Sequence, residues 1–430
     1  MVLDSYDSYQ GLQAIPVMAA RARTLERLWL LDPELEGSAG HFSDYARAIV
    51  DAASRLGFDC RVVGNRAAES ALAIGAPVEP VFHHMSHRFV PERVGGLLVN
   101  PLIGSYQYYR QLCCILTPRL QRQDMVFVAT ANHRHLWALG RWLNRLPART
   151  APALCILLRY SSYDIRRQSW LPTTPLLKIG LRRLEQAARV RRVHLVTDSE
   201  PLAAEYRRLT TLSVTALPIP HLVPESVASS YKDETCDGAQ PPRTLRFVSL
   251  GGARDEKGFH LLPGVLRLLA QSGHLQECEF IIQCYRRRHL PNDVSQAFDE
   301  LVNLELPNVR VMPEAIGSER YYRLLMEADA VLLPYRRHMY FARNSGIFTD
   351  ALAVGKPVIT TAGTWMSSQL EECGAGVLCA DDDPQDLARA IRETCKQWGT
   401  LNRQAQRARP RWIAEHSMEN FLKGVLLLFQ

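Results

Sequence analysis

The sequence predicts an α/β protein built from two doubly wound domains that face each other across a cleft. Short apolar runs alternate with longer segments whose apolar residues recur at helical spacing. This alternation stops near residue 219 and restarts at residue 244. Such alternation is typical of βαβ units in a parallel sheet. A chain of 430 residues is long enough for two domains of this kind.

The first half opens with RLWLLD (27–32), which predicts a buried strand. The segment HFSDYARAIVDAASRLG (41–57) has apolar residues at helical spacing and ends at a glycine, so it predicts a helix. Further strands of this half are predicted at 60–64, 124–130, 153–160 and 193–199. We interpret residues 1–220 as the first domain.

The stretch that follows is rich in Pro, Ser and charged residues, so we interpret residues 221–243 as a linker. The strands predicted after it are 244–250, 278–284, 309–314, 330–335, 356–361 and 376–381. Residues 244–410 then form the second domain, and we expect a C-terminal helix at 411–430 to pack back toward the first. Because open parallel sheets bind ligands at the carboxyl ends of their strands, the two crevices are expected to face each other.

The composition indicates a globular protein with an acidic partner. Hydrophobic residues make up 47% of the chain and charged residues 22%. The formal net charge of +7 and a pI near 8.9 suit a nucleotide, an anionic membrane surface or nucleic acid. The charge alone does not choose among these partners.

The cysteines and the hydropathy pattern indicate a reducing compartment. The ten cysteines include no C-x-x-C pair, which argues against a zinc site or a disulfide framework. No apolar stretch approaches the roughly 18–20 uncharged residues that a spanning helix needs. The first residues do not have the pattern of a signal peptide. We therefore expect a cytoplasmic protein.

The loop GGARDEKGFHLLP (251–263) follows the first strand of the second domain and has the composition of a phosphate site. Gly251 and Gly252 permit a sharp turn, and a helix predicted to begin near Gly258 would present its positive end. Arg254 and Lys257 add full positive charges. Taken alone, the pattern also fits two solvated loop cations.

A second anion site is predicted within AVLLPYRRHMYFARNSGIFTDALAVGKPVITT (330–361). A strand ends at Pro334–Tyr335, Ser345–Gly346 opens a helix, and Asp350 lies just over one turn inside it. A carboxylate in that position can accept hydrogen bonds from both hydroxyls of a ribose. The two loops together describe a site for a nucleotide diphosphate.

These segments resemble the C-terminal domain of retaining GT-B glycosyltransferases of the glycogen-synthase and mannosyltransferase type (glycosyltransferase group 1, family 4-like). The resemblance covers roughly residues 244–385 and rests on four segments in the same order and spacing. They are Gly252–Ala253–Arg254 with Lys257–Gly258, the run 328–335, Ser345–Gly346, and the run 350–358. It implies two Rossmann-like domains and a nucleotide diphosphate sugar as the donor.

The resemblance also assigns roles to residues of the second domain. Arg254 and Lys257 neutralise the donor diphosphate, and they are predicted catalytic residues because the leaving group develops charge there. The predicted donor-binding residues are Gly252, Arg254, Lys257, Tyr335, Ser345, Gly346, Ile347 and Asp350. The family usually has Glu at the Asp350 position and a second Glu eight residues earlier, where this chain has Ala342. This departure concerns recognition of the sugar.

In the first domain, Gly37–Ser38–Ala39–Gly40–His41 resembles the glycine-containing loop that family members place near donor and acceptor. The resemblance makes Gly40 and His41 acceptor-side residues, with His41 a predicted catalytic residue. A plain helix entry capped by Ser38 or His41 is the alternative. Asn132, His133 and Arg159 also end predicted strands and are predicted on the acceptor side. Each of these three also fits a structural hydrogen-bonding role.

The segment LLKIGLRRLEQAARVRR (176–192) combines five large apolar residues with six cations. It predicts peripheral contact with an anionic membrane, on whose inner face a lipid-linked acceptor would be presented. The alternative, which we favour, is a core-facing helix with a solvated basic face.

The predicted function is transfer of a hexosyl-type sugar to a glycan, lipid-linked or small-molecule acceptor, with retention implied by the resemblance. We expect no cofactor besides the nucleotide-sugar co-substrate, no metal and no nucleic-acid partner. The run Asp381–Asp382–Asp383 is interpreted as a solvated turn, and no D-x-D lies near the predicted site. Two alternatives remain: a nucleotide-sugar-binding protein without catalysis, and an epimerase or phosphorylase on the same fold.

Overall fold

The chain folds into two domains, each built on a parallel sheet whose faces are covered by helices. The fold is taken from a computed structural model, which describes residues 25–37, 41–68, 72–83, 96–224, 227, 244–286 and 290–430. Gly40 and most of the 221–243 segment lie outside the described residues. The prediction of two doubly wound α/β domains is confirmed.

The first sheet has seven strands in the order β3-β2-β1-β4-β5-β8-β9, and all neighbours are parallel. Its strands are β1 (Arg27–Leu31), β2 (Asp59–Asn65), β3 (Val78–Phe82), β4 (Asp124–Val128), β5 (Ala153–Leu158), β8 (Val193–Thr197) and β9 (Val214–Ala216). A separate hairpin consists of β6 (Tyr163–Asp164) and β7 (Ser169–Trp170). Every residue of β4 and β5 is buried, which explains why all of them except Asp124 are apolar.

The helices of the first domain are α1 (His41–Arg55), α2 (Gly96–Gln111), α3 (His133–Arg145), α4 (Thr174–Ala188) and α5 (Glu200–Arg207). Two glycines let α3 and α4 approach closely. A Cβ atom added to Gly140 would lie 2.6 Å from Cβ of Arg183, and one added to Gly180 would lie 2.8 Å from Cβ of Leu136. Gly180 therefore belongs to a helix interface rather than to a helix break.

The second sheet has six parallel strands in the order β12-β11-β10-β13-β14-β15. They are β10 (Leu245–Ser249), β11 (Cys278–Gln283), β12 (Val309–Met312), β13 (Ala330–Leu333), β14 (Val358–Thr361) and β15 (Gly376–Cys379). The chain order reverses beside β10, which pairs with both β11 and β13. In a doubly wound sheet this reversal opens a crevice at the carboxyl ends of those strands.

The helices of the second half are α6 (Leu262–Gln271), α7 (Asn292–Val302), α8 (Ser318–Glu327), α9 (Arg337–Tyr340), α10 (Gly346–Ala353), α11 (Trp365–Cys373), α12 (Pro384–Glu415) and α13 (Met418–Leu427). Helical structure leading into α6 begins at Phe259, close to the predicted start near Gly258, and α6 itself begins at Leu262. Two short 3₁₀ turns precede it, Asp255–Lys257 and Phe259–Leu261. Gly258 joins them with φ +66°, and a Cβ atom there would lie 2.0 Å from the carbonyl oxygen of Pro334.

The chain returns to the first domain at its C-terminus. Helix α13 packs on α1, and its buried side chains join the core beneath the first sheet. The two segments that connect the domains, near residues 221 and 416, are hydrogen-bonded to each other. The amide of His221 donates to the carbonyl of His416 at 2.8 Å. The ring Nδ1 of His416 lies 2.7 Å from the carbonyl oxygen of Ile219.

Three features escaped the sequence patterns: β3, β9 and the β6–β7 hairpin. Strand β3 carries Pro80 and lies at the edge of the sheet, and β9 has three residues, so neither shows a periodic apolar run. Within the described residues, no helix has both the length and the apolar character needed to span a membrane.

Candidate active site

The two predicted anion-binding loops of the second domain lie against each other at the carboxyl ends of β10 and β13. A Cβ atom added to Gly251, whose φ is +108°, would lie 2.4 Å from Nζ of Lys257 and 3.6 Å from Cδ1 of Ile347. The first loop, the Lys257 ammonium and the first turn of α10 therefore form one site. Glycine is required at residue 251 by this backbone conformation, which other residues rarely adopt.

Lys257 is held in place by its own loop. Its Nζ donates to the carbonyl oxygen of Leu250 at 3.3 Å and lies 5.5 Å from the centre of the Tyr335 ring. The contact with the ring face is of the cation–π type. The ammonium is thus fixed beside Gly251 rather than extended into solvent.

Arg254 is three-quarters buried beside two tyrosines and a carboxylate. Burial by itself lowers the pKa of Arg254, but Glu256 and Tyr285 outweigh that effect and raise it overall. Its Nη1 lies 3.4 Å from Oε1 of Glu256. A Cβ atom at Gly252 would lie 2.8 Å from Cζ of Tyr285, so the glycine makes room for that ring. The guanidinium is therefore charged and partly desolvated, which strengthens its attraction for an anion.

The first turn of α10 presents amide groups toward the same place. Ser345 is 5% exposed, and its Oγ accepts the amide of Phe348 at 3.3 Å as an N-cap. The first amides of a helix have no partner within the helix, so those of Gly346 and Ile347 are left for an anion. Tyr335 is buried, and burial raises the pKa of its hydroxyl, so the ring stays neutral.

Asp350 has a structural role that the sequence did not indicate. It is 6% exposed; its Oδ1 accepts the amide of Leu222 at 3.0 Å, and its Oδ2 accepts the hydroxyl of Tyr321 at 3.0 Å. Burial raises the pKa of Asp350 to about 6. The carboxylate therefore fixes the segment that leaves the first domain. Two lone-pair positions remain for the predicted contacts with ribose.

Ala342 lies in the boundary between the domains. It is 1% exposed, and its methyl group belongs to the apolar cluster of the first domain. Ser199 Oγ donates to the carbonyl of Ala342, and Asn344 Nδ2 donates to the carbonyl of Asp198 at 3.4 Å. The position where relatives carry an acid is therefore a packed apolar contact in this chain.

The acceptor-side predictions fall in different settings. His41 begins α1, and its side chain lies outside the described part of the structure. Asn132 caps α3: its Oδ1 accepts the amide of Arg134 at 3.0 Å and lies 3.0 Å from Nδ1 of His135. Asn132 thus has the structural role that the sequence left open. His133 is the first residue of α3 and is half-buried.

Arg159 lies in a buried polar cluster at the carboxyl ends of the first sheet. Its Nε is 4.0 Å from Oδ2 of Asp198, and its guanidinium carbon lies 4.4 Å from the centre of the Tyr45 ring. Burial raises the pKa of Asp198 to about 6 and that of Asp32, which also adjoins Arg159, to about 7. These carboxyl groups are the residues that the sequence reasoning missed. The signal was available, since Asp32 and Asp198 directly follow apolar strands.

The run Asp381–Asp382–Asp383 forms a largely exposed turn, as predicted, but each carboxylate also has a partner that the sequence did not indicate. Asp381 accepts the amide of Arg337 at 3.1 Å, and Asp382 lies 2.7 Å from Nε2 of His260. Asp383 caps α12 by accepting the amides of residues 385 and 386. The run follows β15 and links its own turn to the loop that contains His260 and to the loop that contains Arg337.

The basic segment 176–192 corresponds mainly to α4, whose apolar side packs on α3. Leu177, Leu181 and Leu184 are buried, while Ile179 is 43% exposed. Arg183 lies 5.5 Å from the centre of the Trp137 ring. This is the core-facing helix of the alternative interpretation, and contact with a membrane stays a prediction that rests on the exposed cations.

Comparisons with known proteins agree with this architecture. Residues 244–397 match the model of the family Glycosyl transferases group 1. No curated protein matches this sequence. Among solved structures, the UDP-forming alpha,alpha-trehalose-phosphate synthase from Burkholderia xenovorans, in complex with glucose-6-phosphate, has a TM-score of 0.67 at 11% identity, with 94% of this chain and 100% of that chain covered.

Two further structures have the same fold. The sucrose-phosphate synthase of Thermosynechococcus elongatus has a TM-score of 0.64 at 13% identity, covering 94% of this chain and 98% of that one. WaaG, a glycosyltransferase involved in lipopolysaccharide biosynthesis, has a TM-score of 0.59 at 14% identity, covering 93% and 98%. At these identities the likeness concerns the fold, and the predicted GT-B architecture is confirmed.

Proposed function

Since its second domain matches the model of the glycosyl transferases group 1, we propose that this chain transfers a hexosyl-type sugar from a nucleotide diphosphate donor to an acceptor held by the first domain. The observation that carries the proposal is the junction of Gly251, Lys257 and the first turn of α10 at the crevice of the second sheet. Lys257 lies there beside a helix N-terminus, and Arg254 belongs to the same loop, a combination that suits a diphosphate.

In the proposed reaction, the bond between the anomeric carbon and the phosphate oxygen breaks, and the nucleotide diphosphate leaves with the electron pair. Arg254, Lys257 and the amides of Gly346 and Ile347 stabilise the charge that develops on the leaving group. Removing one preorganised donor of this kind costs roughly a hundredfold to a thousandfold in turnover. These residues supply the positive charge, so the transfer step as proposed uses neither a metal nor another cofactor.

On the acceptor side, the hydroxyl oxygen of the acceptor forms the new bond and gives up its proton. We propose His41 as the group beside that hydroxyl, with Gly40, His133 and Arg159 as further acceptor-side residues. Closure of the domains would exclude water from the reactive sugar. Retention of configuration is part of this proposal and rests on the family resemblance.

The acceptor is proposed to be a glycan, a lipid-linked sugar or a small phosphorylated sugar. The similar structures support this range, since one is a trehalose-phosphate synthase in complex with glucose-6-phosphate and another acts in lipopolysaccharide biosynthesis. The buried guanidinium of Arg159 and the net charge of +7 favour an anionic acceptor. A cytoplasmic location is proposed from the cysteine pattern, and peripheral membrane contact from the basic segment 176–192.

The test is release of nucleoside diphosphate by the purified chain from a panel of UDP-, GDP- and ADP-sugars, with candidate acceptors. We expect Lys257→Ala and Arg254→Ala to lower turnover by roughly a hundredfold or more, while the melting temperature stays nearly unchanged. Arg323→Ala is the matched control, because Arg323 is an exposed cation of α8 paired with Glu319. Wild-type turnover in Lys257→Ala would remove that residue from the site.

A second candidate function, nucleotide-sugar binding without catalysis, is favoured by Ala342. A buried methyl group occupies the place where relatives carry an acid near the sugar. Calorimetric binding of a nucleotide sugar without transfer or hydrolysis, lost in Arg254→Ala, would support this candidate over the transferase.

A further inference from the structure

A pocket of about 470 Å³ lies beside the first donor loop, on the side of the second sheet that α6 and α7 cover. Its walls are the start of α6, one face of α7, Arg336 after β13, and the turn that follows β15. It contains histidine and several carboxylates, and the donor site described above does not use them.

Three side chains at this pocket are arranged as metal ligands. One nitrogen of His260 and one carboxylate oxygen each from Asp255 and Asp293 lie within 4.8 Å of one another. Zinc binds histidine nitrogen and carboxylate oxygen at about 2.0–2.2 Å, so its ligand atoms lie roughly 3–4 Å apart. Asp293 lies in the exposed first turn of α7, so a small rotation of its side chain closes the triangle.

The orientation of His260 is fixed by a neighbouring carboxylate. Its Nε2 lies 2.7 Å from Oδ1 of Asp382 and donates to it. Asp382 also forms an ion pair with Nη1 of Arg336. A carboxylate on one ring nitrogen makes the other nitrogen the better metal ligand.

The second ring nitrogen, Nδ1, is the one available for coordination. It is buried, has no hydrogen-bond partner within the described part of the chain, and lies 3.9 Å from Oδ1 of Asp255. Asp255 is itself positioned by Arg336, whose Nη2 donates to the same oxygen at 2.9 Å. Both ligands are therefore held in place by partners, Asp382 and Arg336, that themselves line the pocket.

The charges around the pocket suit a divalent cation. The described side chains at the site comprise four carboxylates and two guanidinium groups, which leaves an excess of two negative charges when His260 is neutral. They are Asp255, Asp293, Glu300 and Asp382 with Arg267 and Arg336. An anionic ligand would be repelled by this balance, whereas one divalent ion neutralises it.

We propose that this pocket binds one divalent transition-metal ion of the zinc class through Asp255, His260 and Asp293, with water from the pocket completing the coordination. Imidazole among the ligands favours zinc over magnesium or calcium, which prefer oxygen donors. The ion takes no part in sugar transfer. It ties the turn between Arg254 and Lys257 to α7 across the pocket, and its binding does not depend on the proposed function.

The test uses the full, untagged chain, stripped with a chelator and titrated with Zn²⁺ by calorimetry. We expect one ion per chain, with affinity weakened by roughly a hundredfold or more in His260→Ala and in Asp293→Asn. Asp382→Asn should weaken it by about 10- to 100-fold through the orientation of His260. Replacing Zn²⁺ by Co²⁺ gives a second readout, since the visible absorption of the bound ion reports its nitrogen and oxygen ligands.

Two variants serve as matched controls. His274→Ala removes an exposed histidine paired with Glu277, and Asp299→Asn removes an exposed carboxylate of the same helix, α7, paired with Arg286. Both should bind Zn²⁺ as the wild type does, and circular dichroism of the metal-free variants should match that of the wild type. Failure of the wild type to bind one ion, or equal binding by His260→Ala and Asp293→Asn, would overturn the proposal.

Discussion

At the scale of single residues, the two crevices differ in their electrostatics. The second domain presents Arg254 and Lys257 beside a helix N-terminus. The first domain instead buries two carboxyl groups, Asp32 and Asp198, near Arg159. Burial of a carboxyl group disfavours its charged form, so these acids are available as proton donors or as hydroxyl ligands near neutral pH.

We predict that Asp32→Asn stabilises the protein increasingly as the pH rises. Burial raises the pKa of Asp32 from 3.8 to about 7, so the folded state binds the proton more tightly than the unfolded state. Its contribution to the free energy of unfolding is therefore fully present below about pH 4 and is lost as the pH rises through 7. The measurement is the melting temperature of Asp32→Asn and of the wild type from pH 4 to 8, and the difference in favour of the variant should grow with pH.

Asp59→Asn, at an exposed position on β2, is the control for that series. In the Asp32→Asn variant, the side-chain oxygen of the introduced asparagine would still accept the amide of Glu34, as Oδ1 of Asp32 does at 3.0 Å. A melting-temperature difference between Asp32→Asn and wild type that does not change with pH would contradict the prediction.

Asp350 is predicted to bind the ribose of the donor, in addition to accepting the amide of Leu222 in the linker. Donors with ribose and with 2′-deoxyribose should differ in kcat/KM for the wild type and should differ much less for Asp350→Asn, since both changes remove the same contact. Tyr321→Phe, which removes one structural partner of the carboxylate, should keep the preference for ribose. If the losses in kcat/KM from 2′-deoxyribose and from Asp350→Asn were additive, the ribose would not contact Asp350.

At the scale of elements, the pairing of α3 with α4 shows how a residue that weakens a helix can strengthen a fold. Gly180 is unfavourable within an isolated helix, yet its missing side chain lets the backbone of α3 approach. Leu177, Leu181 and Leu184 of α4 are buried, whereas Arg182 and Ile179 remain exposed at its surface. The basic face is therefore a by-product of helix packing as well as a candidate binding surface.

We predict that Gly180→Ala destabilises the protein by about 1–3 kcal/mol, because the new methyl group would overlap Leu136 and the backbone of Trp137. Gly399→Ala, in α12, is the control: its added Cβ would meet nothing closer than Arg403 at 3.7 Å. That variant should be stabilised by about 0.5–1 kcal/mol through helix propensity. Urea unfolding of both variants measures the difference, and equal effects would disprove the close approach.

At the scale of the whole molecule, the chain crosses between its domains twice, near residue 221 and again near residue 416. Asp350 and Tyr322 bind the amide and carbonyl of Leu222, and α13 completes the core of the first domain. The proposed donor site is thereby connected to the boundary between the domains. Ala342 extends this boundary by packing into the first domain.

Contact of the basic segment 176–192 with an anionic membrane is predicted to be electrostatic. Each basic residue near an anionic surface contributes about 1 kcal/mol, and salt screens the interaction. Co-sedimentation with anionic vesicles should therefore fall steeply between low and physiological ionic strength, and it should weaken when Arg182, Arg183 and Arg189 become Gln. Equal binding to neutral vesicles, or no loss in the mutant, would leave an ordinary basic helix.

The sequence alone determined the two parallel sheets and the place of the two loops that form the proposed donor site. Apolar strands alternate with amphipathic helices in both halves, and local patterns of this kind record burial directly. The loops that contain Arg254, Lys257 and Ser345 follow strands, so their place at the carboxyl edge of the sheet followed from topology. Short or edge strands such as β3 and β9 lack a periodic pattern and were missed.

Only the tertiary structure decided what the individual polar groups contact. The partners of Asp350 lie in the linker and in α8, those of Asp382 lie in two other loops, and Asp32 and Asp198 approach Arg159 from separate strands. Hydrogen bonds and pKa shifts depend on distances between residues far apart in the chain, and a linear pattern does not encode those distances. The close approach of Gly258 to the carbonyl oxygen of Pro334 likewise joins residues that are far apart in the chain.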